Sequence, residues 1–172
     1  VPLVDITVRR PFDMAYFHND FKNMVDWDSA TSKYKNIGRA ETKGFEIGAK
    51  FLPMQNFTIG ATYTYLDTKD KEMGKKLVKR PENQIGFDIN WIFLEKANLN
   101  LNAKYVGDNW NNSANTQKVK PYTKVDLSAS YDLSLNFQIF GRIENLFDRK
   151  YVQIRGFAAE GRSFYAGAKA NF

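Results

Sequence analysis

Apolar and polar residues alternate with a period of two along most of this chain, and the 3.6-residue spacing of an amphipathic helix is almost absent. In "QIGFDINWIF", Ile85, Phe87, Ile89 and Trp91 alternate with Gln84, Gly86, Asp88 and Asn90. In "ANLNLNAKY", Ala97, Leu99, Leu101, Ala103 and Tyr105 alternate with Asn98, Asn100, Asn102 and Lys104. "NFTIGATYTYL", "KVDLSASYD", "GFEIGAKF" and "FQIFGRIENLF" follow the same rule. Side chains of a strand point alternately to its two faces, so each segment has one apolar and one polar face. The pattern predicts eight strands near 11–28, 34–52, 56–69, 77–93, 97–108, 122–133, 136–148 and 162–172.

The connections sort into two kinds. "PMQ", "LEK" and "SL" are tight, whereas "DSATSK", "DKEMGKK", "DNWNNSANTQKVKP" and "RKYVQIRGFAAEG" are long and polar. Short and long alternate strictly, as in an up-and-down outer-membrane barrel with tight periplasmic turns and longer external loops. The expected fold is therefore all-β, an antiparallel transmembrane β-barrel.

Three features put lipid rather than a dry core against the apolar face. Phe51, Phe57, Trp91, Phe93, Tyr131, Phe137 and Phe172 fall near the tight turns or the C-terminus, and Tyr63, Tyr65, Tyr105 and Phe147 fall toward the long loops. Two aromatic belts are what two lipid–water interfaces select. The polar row carries Asp88, Lys104, Arg142 and Glu144, which a wet lumen hydrates. Several apolar positions are only alanine, a poor filling for a dense protein core but adequate against lipid chains. The alternative is a soluble β-sandwich with one solvated face.

Composition excludes several functions. The 25 Lys and Arg outnumber the 19 Asp and Glu, but the signs are interleaved, unlike the basic stripe of a nucleic-acid binder. There is no cysteine and His18 is the single histidine, so no thiolate or histidine metal centre and no nucleophile–base pair is legible. Neither an enzyme nor a resident cofactor is expected.

Five motifs follow one another along the chain: "YFHNDFKNMV", "NIGRAETKGFEIGAKF" (with Asn36, Gly38, Ala40, Gly44 and Glu46), "KRPENQIGFDINW" (with Arg80 and Pro81), "YTKVDLSASY" and "ENLFDRKY". In kind and order they resemble the motifs of TonB-dependent outer-membrane receptors, in particular the cobalamin and ferric-siderophore branches. The terminal "YAGAKANF", with Tyr165, Gly167, Ala170 and Phe172, resembles the signal read by the barrel-assembly machinery. The resemblance implies that residues 1–172 are the C-terminal barrel segment of a larger plugged barrel, with the plug outside this chain. It further implies an outer-membrane site, uptake of a small chelate such as a ferric siderophore, haem or cobalamin, and coupling to TonB through an N-terminal region beyond this chain. The rival reading is a self-contained eight-stranded barrel serving as an adhesin or membrane anchor.

Candidate ligand contacts lie at the loop roots: Trp27, Asn109, Trp110, Asn111, Tyr151, Arg155 and Phe157. Lys71, Lys75 and Lys76 are candidates for attracting lipopolysaccharide, which is an expected partner together with outer-membrane lipid. Arg142 and Glu144 share the polar row and are expected to form an ion pair, and Asn145 and Asp148 read as turn and strand-end residues. Gly141, on the apolar row, is expected to mark a close contact or bend.

Overall fold

The computed structural model describes residues 12–28, 31–36 and 38–171. The described residues form twelve strands: β1 (Phe12–Lys22), β2 (Val25–Asp28), β3 (Lys33–Asn36), β4 (Arg39–Met54), β5 (Phe57–Asp70), β6 (Asn83–Phe93), β7 (Ala97–Val106), β8 (Asn109–Trp110), β9 (Lys118–Val119), β10 (Tyr122–Ser134), β11 (Phe137–Glu144) and β12 (Ser163–Ala170). Eight of them form one antiparallel sheet in the order β1-β4-β5-β6-β7-β10-β11-β12, each strand beside its neighbour in the chain. The other four form two separate hairpins, β2–β3 and β8–β9, within the long connections. Among the described residues β1 and β12 do not pair, so the sheet is open between them.

The register carries the alternation across every strand. Ala61 pairs with Phe87, Phe87 with Ala103, Ala103 with Val125, and the apolar row continues through Leu127↔Ile143 and Ile143↔Phe164. This apolar face is not a dry interior. Ile85 is 46% exposed and Trp91 41%, and Phe12, Met14, Tyr16, Phe51, Ile139 and Phe164 are exposed as well. A contiguous exposed apolar face marks a surface that meets a membrane or another protein. The opposite face carries Asp88, Asn90, Asn98, Asn100, Asn102, Lys104, Asp126 and Arg142, with Asn90 donating to Asn98 across two strands at 2.8 Å.

Rings gather at both ends of the apolar face. Trp91 lies 6.4 Å from Phe57 and 5.1 Å from Phe93 at the tight-turn end. Phe45 lies 5.6 Å from both Tyr63 and Tyr65 at the long-loop end. Along β5 the stretch from Phe57 to Tyr65 measures about 27 Å, which at a tilt of about 40° spans most of the ~25 Å apolar band of an outer-membrane barrel.

Several sequence boundaries need correction. The strand expected over 11–28 stops at Lys22, because Asn23 takes a left-handed φ of 56° and turns the chain into the β2–β3 hairpin. Pro11 itself lies outside the described residues. The strand expected over 34–52 is split at Gly38, whose φ is 68°, into β3 and β4. The strand expected from 77 starts at Asn83: Leu77 and Val78 are apolar because they are buried in a loop, not because they extend the sheet. β7 ends at Val106 rather than 108, and β11 ends at Glu144 because Asn145 takes a φ of 52°. Gly141 is no close contact: a Cβ there would meet nothing nearer than the Tyr165 carbonyl oxygen at 3.6 Å. Phe172, proposed as part of the terminal signal, lies outside the described residues.

Candidate functional site

Most of the buried apolar side chains lie at the long-loop end. Leu77, Val78, Val106 and Val119 are all buried there, as is Ala40, whereas Ala97 sits by a tight turn. Hydrogen bonds tie the loops together. The Lys76 amide donates to Asn115 Oδ1 at 2.8 Å and Asn115 Nδ2 donates to the Lys76 carbonyl at 3.1 Å. The Lys79 amide donates to the Trp110 carbonyl at 2.8 Å, so the 71–82 loop is laced to the β8–β9 hairpin. The Arg155 amide donates to Asn111 Oδ1 at 3.3 Å, which brings in the 145–162 loop.

Asn145 fixes the root of that last loop. Its side chain is 2% exposed. Oδ1 accepts from the Arg149 amide at 2.8 Å, while Nδ2 donates to the carbonyls of Arg149 at 3.0 Å and Glu160 at 3.3 Å. Its own amide donates to Asp126 Oδ1 at 2.8 Å. Asp148 then accepts from the Arg162 amide at 3.0 Å, closing the loop on the start of β12. The "ENLFDR" stretch is thus a set of backbone clamps, as turn chemistry predicts.

The candidate ligand contacts separate into three groups. Asn109, Trp110 and Asn111 belong to the β8–β9 unit, and Asn111 and Arg155 meet directly. Tyr151 stacks on Tyr122, centroids 4.3 Å apart and planes inclined by 23°. Trp27 sits on the β2–β3 hairpin with Tyr34 edge-on at 5.1 Å, and Phe157 is 72% exposed. Asn109 Oδ1 is buried without a hydrogen-bond partner among the described residues.

Sequence reasoning found Arg155 but missed the other cations around this unit. A cleft of about 320 Å³ is lined by Lys118, Lys120, Arg149, Lys150, Tyr151 and Arg155. Lys118 pairs with Asp108 and lies 5.7 Å from the Trp110 ring centre. The runs "KVKP" and "DRKYVQIR", dense in bases, were the legible signal.

Several charges elsewhere are paired. On the polar face Lys124 lies 3.3 Å from both Asp126 and Glu144, and Arg142 lies 3.0 Å from Glu144 and 4.6 Å from the Tyr165 ring centre. The expected Arg142–Glu144 pair is therefore formed. Beyond the Phe45–Tyr65 rings, the apolar face gives way to charge: Lys71 bridges Asp20 at 3.1 Å and Glu41 at 2.8 Å, and Lys76 bridges Asp67 at 2.6 Å and Glu82 at 3.3 Å. The hydrogen bond to Glu41, then that to Asp20, raises the Lys71 pKa above the ordinary lysine value. Burial opposes the charge on Lys76, but its hydrogen bonds to Asp67 and Glu82 outweigh that and raise its pKa too. His18 lies 3.7 Å from Glu41, and no cluster able to hold a metal occurs among the described residues.

This sheet of alternating faces, tight turns at one end and laced loops at the other, matches a known family. The family described as TonB dependent receptor-like, beta-barrel, matches residues 5–146. The chain belongs to this family. The vitamin B12 transporter BtuB of Photobacterium profundum is 36% identical over 137 residues, covering 80% of this chain and 22% of that protein. The chain thus spans less than a quarter of that relative's length. Solved structures share the fold. The ferric enterobactin receptor PfeA of Pseudomonas aeruginosa, a mutant solved with enterobactin, has a TM-score of 0.74 and 23% identity over 94% of this chain and 29% of its own. The copper transporter OprC has a TM-score of 0.77 and 16% identity over 95% of this chain and 29% of its own. A TonB-dependent receptor barrel places this chain in the bacterial outer membrane, with the apolar face toward lipid, and its relatives are transporters and receptors rather than enzymes.

Proposed function

We propose that residues 1–172 form the C-terminal barrel wall of a larger TonB-dependent receptor that imports a metal chelate such as a ferric siderophore, haem or cobalamin. The family match over residues 5–146 is the observation that carries this reading. The polar face then lines a hydrated lumen around a plug supplied by the rest of the protein. TonB would act through that other part, and no covalent step is required of this segment. Its own work is to hold the sheet in lipid and to present the laced loops to the outside.

The terminal strand supplies the barrel-assembly signal in this reading. Tyr165 and Gly167 stand on the polar row, and Ala170 stands on the apolar row opposite Phe137. The charged rim formed by Lys71, Lys76 and their acids lies where lipopolysaccharide headgroups would meet the barrel. The rival reading as a self-contained eight-stranded anchor requires β1 to pair with β12, and the sheet is open there among the described residues.

Uptake tests the proposal. Cells lacking the gene for the full receptor should lose uptake of at least one radiolabelled iron chelate or corrinoid, and uptake should stop when the proton-motive force is collapsed. Unchanged uptake of every chelate offered, or a mature protein of about 20 kDa in outer-membrane extracts, would favour the small anchor.

A further inference from the structure

We propose that glycines on the polar face act as register keyholes: a side chain from the facing strand lies over each, and the fit selects one strand alignment where the connecting loop is too long to do so. The inference rests on the barrel fold and is independent of what the protein imports. Alternation alone leaves register undetermined. A slip of one residue exchanges the two faces, but a slip of two restores them and moves the strand only about 6.8 Å. Tight turns exclude that slip at β4–β5, β6–β7 and β10–β11, because the turn fixes the pairing. The pairs β1–β4, β5–β6, β7–β10 and β11–β12 are joined by long loops, whose closure entropy barely changes with two residues. β12 shows the problem most plainly. Its apolar row is Phe164, Ala166, Ala168 and Ala170, so a two-residue slip in either direction again faces Ile139 with alanine.

The polar row does distinguish the alignments. Phe140 stands directly opposite Gly167, and a Cβ at that glycine would lie 2.5 Å from the ring Cζ. The ring therefore occupies the space where any side chain would begin, and a slip of two would press it against Tyr165 or Lys169 instead. The β1–β4 pair repeats the device twice, with Phe17 over Gly44 and Asp13 over Gly48. The β5–β6 pair does so with Asp88 over Gly60 and Thr62 over Gly86. Each covering side chain comes from the long-loop partner directly across. Among the atoms nearest these glycines none belongs to a side chain of a tight-turn partner, and only the Tyr65 backbone, beside Gly44, comes from that side. The β7–β10 pair contains no glycine, so its register rests on other contacts. Gly141, on the apolar row, is left uncovered. Aromatic rings laid over strand glycines pin register by this fit. Register matters here because stagger, strand number and tilt together set the bore of a barrel.

The test uses the full-length receptor in outer membranes, with paired cysteines oxidised and the disulfides mapped by mass spectrometry. Gln138→Cys with Lys169→Cys reports the native alignment, since these residues are directly opposite. Gln138→Cys with Asn171→Cys, and Arg142→Cys with Ser163→Cys, report the two slipped alignments. Facing Cβ atoms lie about 4.5–5.5 Å apart and diagonal ones about 7–8 Å, so only an aligned pair should close. In the parent the native pair alone should form. Gly167→Phe should shift crosslinking to the slipped pairs, and Phe140→Ala should raise them about fivefold, the weight of one good cross-strand pair. Exchanging the two residues, Phe140→Gly with Gly167→Phe, lays the ring over a glycine from the other strand and should restore the native pair. Where Gly167→Phe fails to accumulate, the exchange should restore its yield, so a folding defect leaves the comparison intact. Native crosslinking in Gly167→Phe would overturn the inference and leave the loop clamps at Asn145 and Asp148 as what sets the register. An exchange variant as defective as Gly167→Phe would overturn it too, and would make Gly167 itself part of the assembly signal. Neither result bears on import, which the uptake experiment decides.

Discussion

Replacing Asn145 should release the 145–162 loop while leaving the sheet in place. The side chain makes three hydrogen bonds, at 2.8, 3.0 and 3.3 Å, in a position 2% exposed to solvent. Each is worth about 1 kcal/mol net, so their loss amounts to about 3 kcal/mol. Asn145 also sits at a φ of 52°, where asparagine is tolerated and alanine costs about 1 kcal/mol more. Asn145→Ala should therefore weaken the loop root by about 4 kcal/mol, and Asn145→Gly, which accepts the dihedral, by about 3 kcal/mol. The assay is hydrogen–deuterium exchange of the Arg149 amide in the reconstituted receptor, where about 4 kcal/mol corresponds to roughly 1,000-fold faster exchange if opening is local. Amides in the middle of β10 and β11 should keep their protection. Exchange at Arg149 within about threefold of wild type, or a glycine variant looser than the alanine one, would refute the clamp.

Three further outcomes are expected. Leu101→Lys, in the middle of the apolar face between Ile89 and Leu127, should cost roughly 2–4 kcal/mol of folding stability in lipid vesicles, whereas Asn102→Lys next to it should cost little; equal effects in urea titrations would contradict the assignment of faces. Gly44→Ala should abolish proper folding, because the added Cβ would collide with the Tyr65 carbonyl oxygen, while Gly141→Ala should be tolerated; heat-modifiable migration on gels distinguishes them. Lys71 and Lys76 have raised pKa values, so their pairing is complete below the ordinary lysine pKa of about 10.4 and is lost as pH rises through the folded value. A spin label at Met73→Cys, in a sequence free of native cysteine, should gain mobility above about pH 10.4, and a flat response would contradict the bridges.

Strands were legible where one side chain in two faces lipid, because burial then prints a period of two into the sequence. Ile85 to Trp91 and Leu99 to Tyr105 are the clearest cases. Legibility failed where apolarity had another cause. Leu77 and Val78 read as a strand start because burial in a loop and burial against lipid select the same residue types. The β2–β3 and β8–β9 hairpins were missed because their strands have only four and two residues, too short for any periodicity. At the candidate site, Asn111, Tyr151 and Arg155 were found as loop-root residues of suitable chemistry. Their union with Lys118, Lys120, Arg149 and Lys150 depends on backbone clamps spanning up to 44 residues, a distance at which sequence proximity carries no information.

The laced loops have a developmental consequence. Most of the apolar side chains this segment buries, Ala40, Leu77, Val78, Val106 and Val119, lie at the long-loop end, so on the outer-membrane reading they come together only after the strands have crossed. On the proposed function, maturation then has two stages, and a lesion in the outer knot should yield a protein that reaches its membrane and resists heat like its parent yet no longer binds its cargo. Screens that score abundance alone would pass such alleles as healthy.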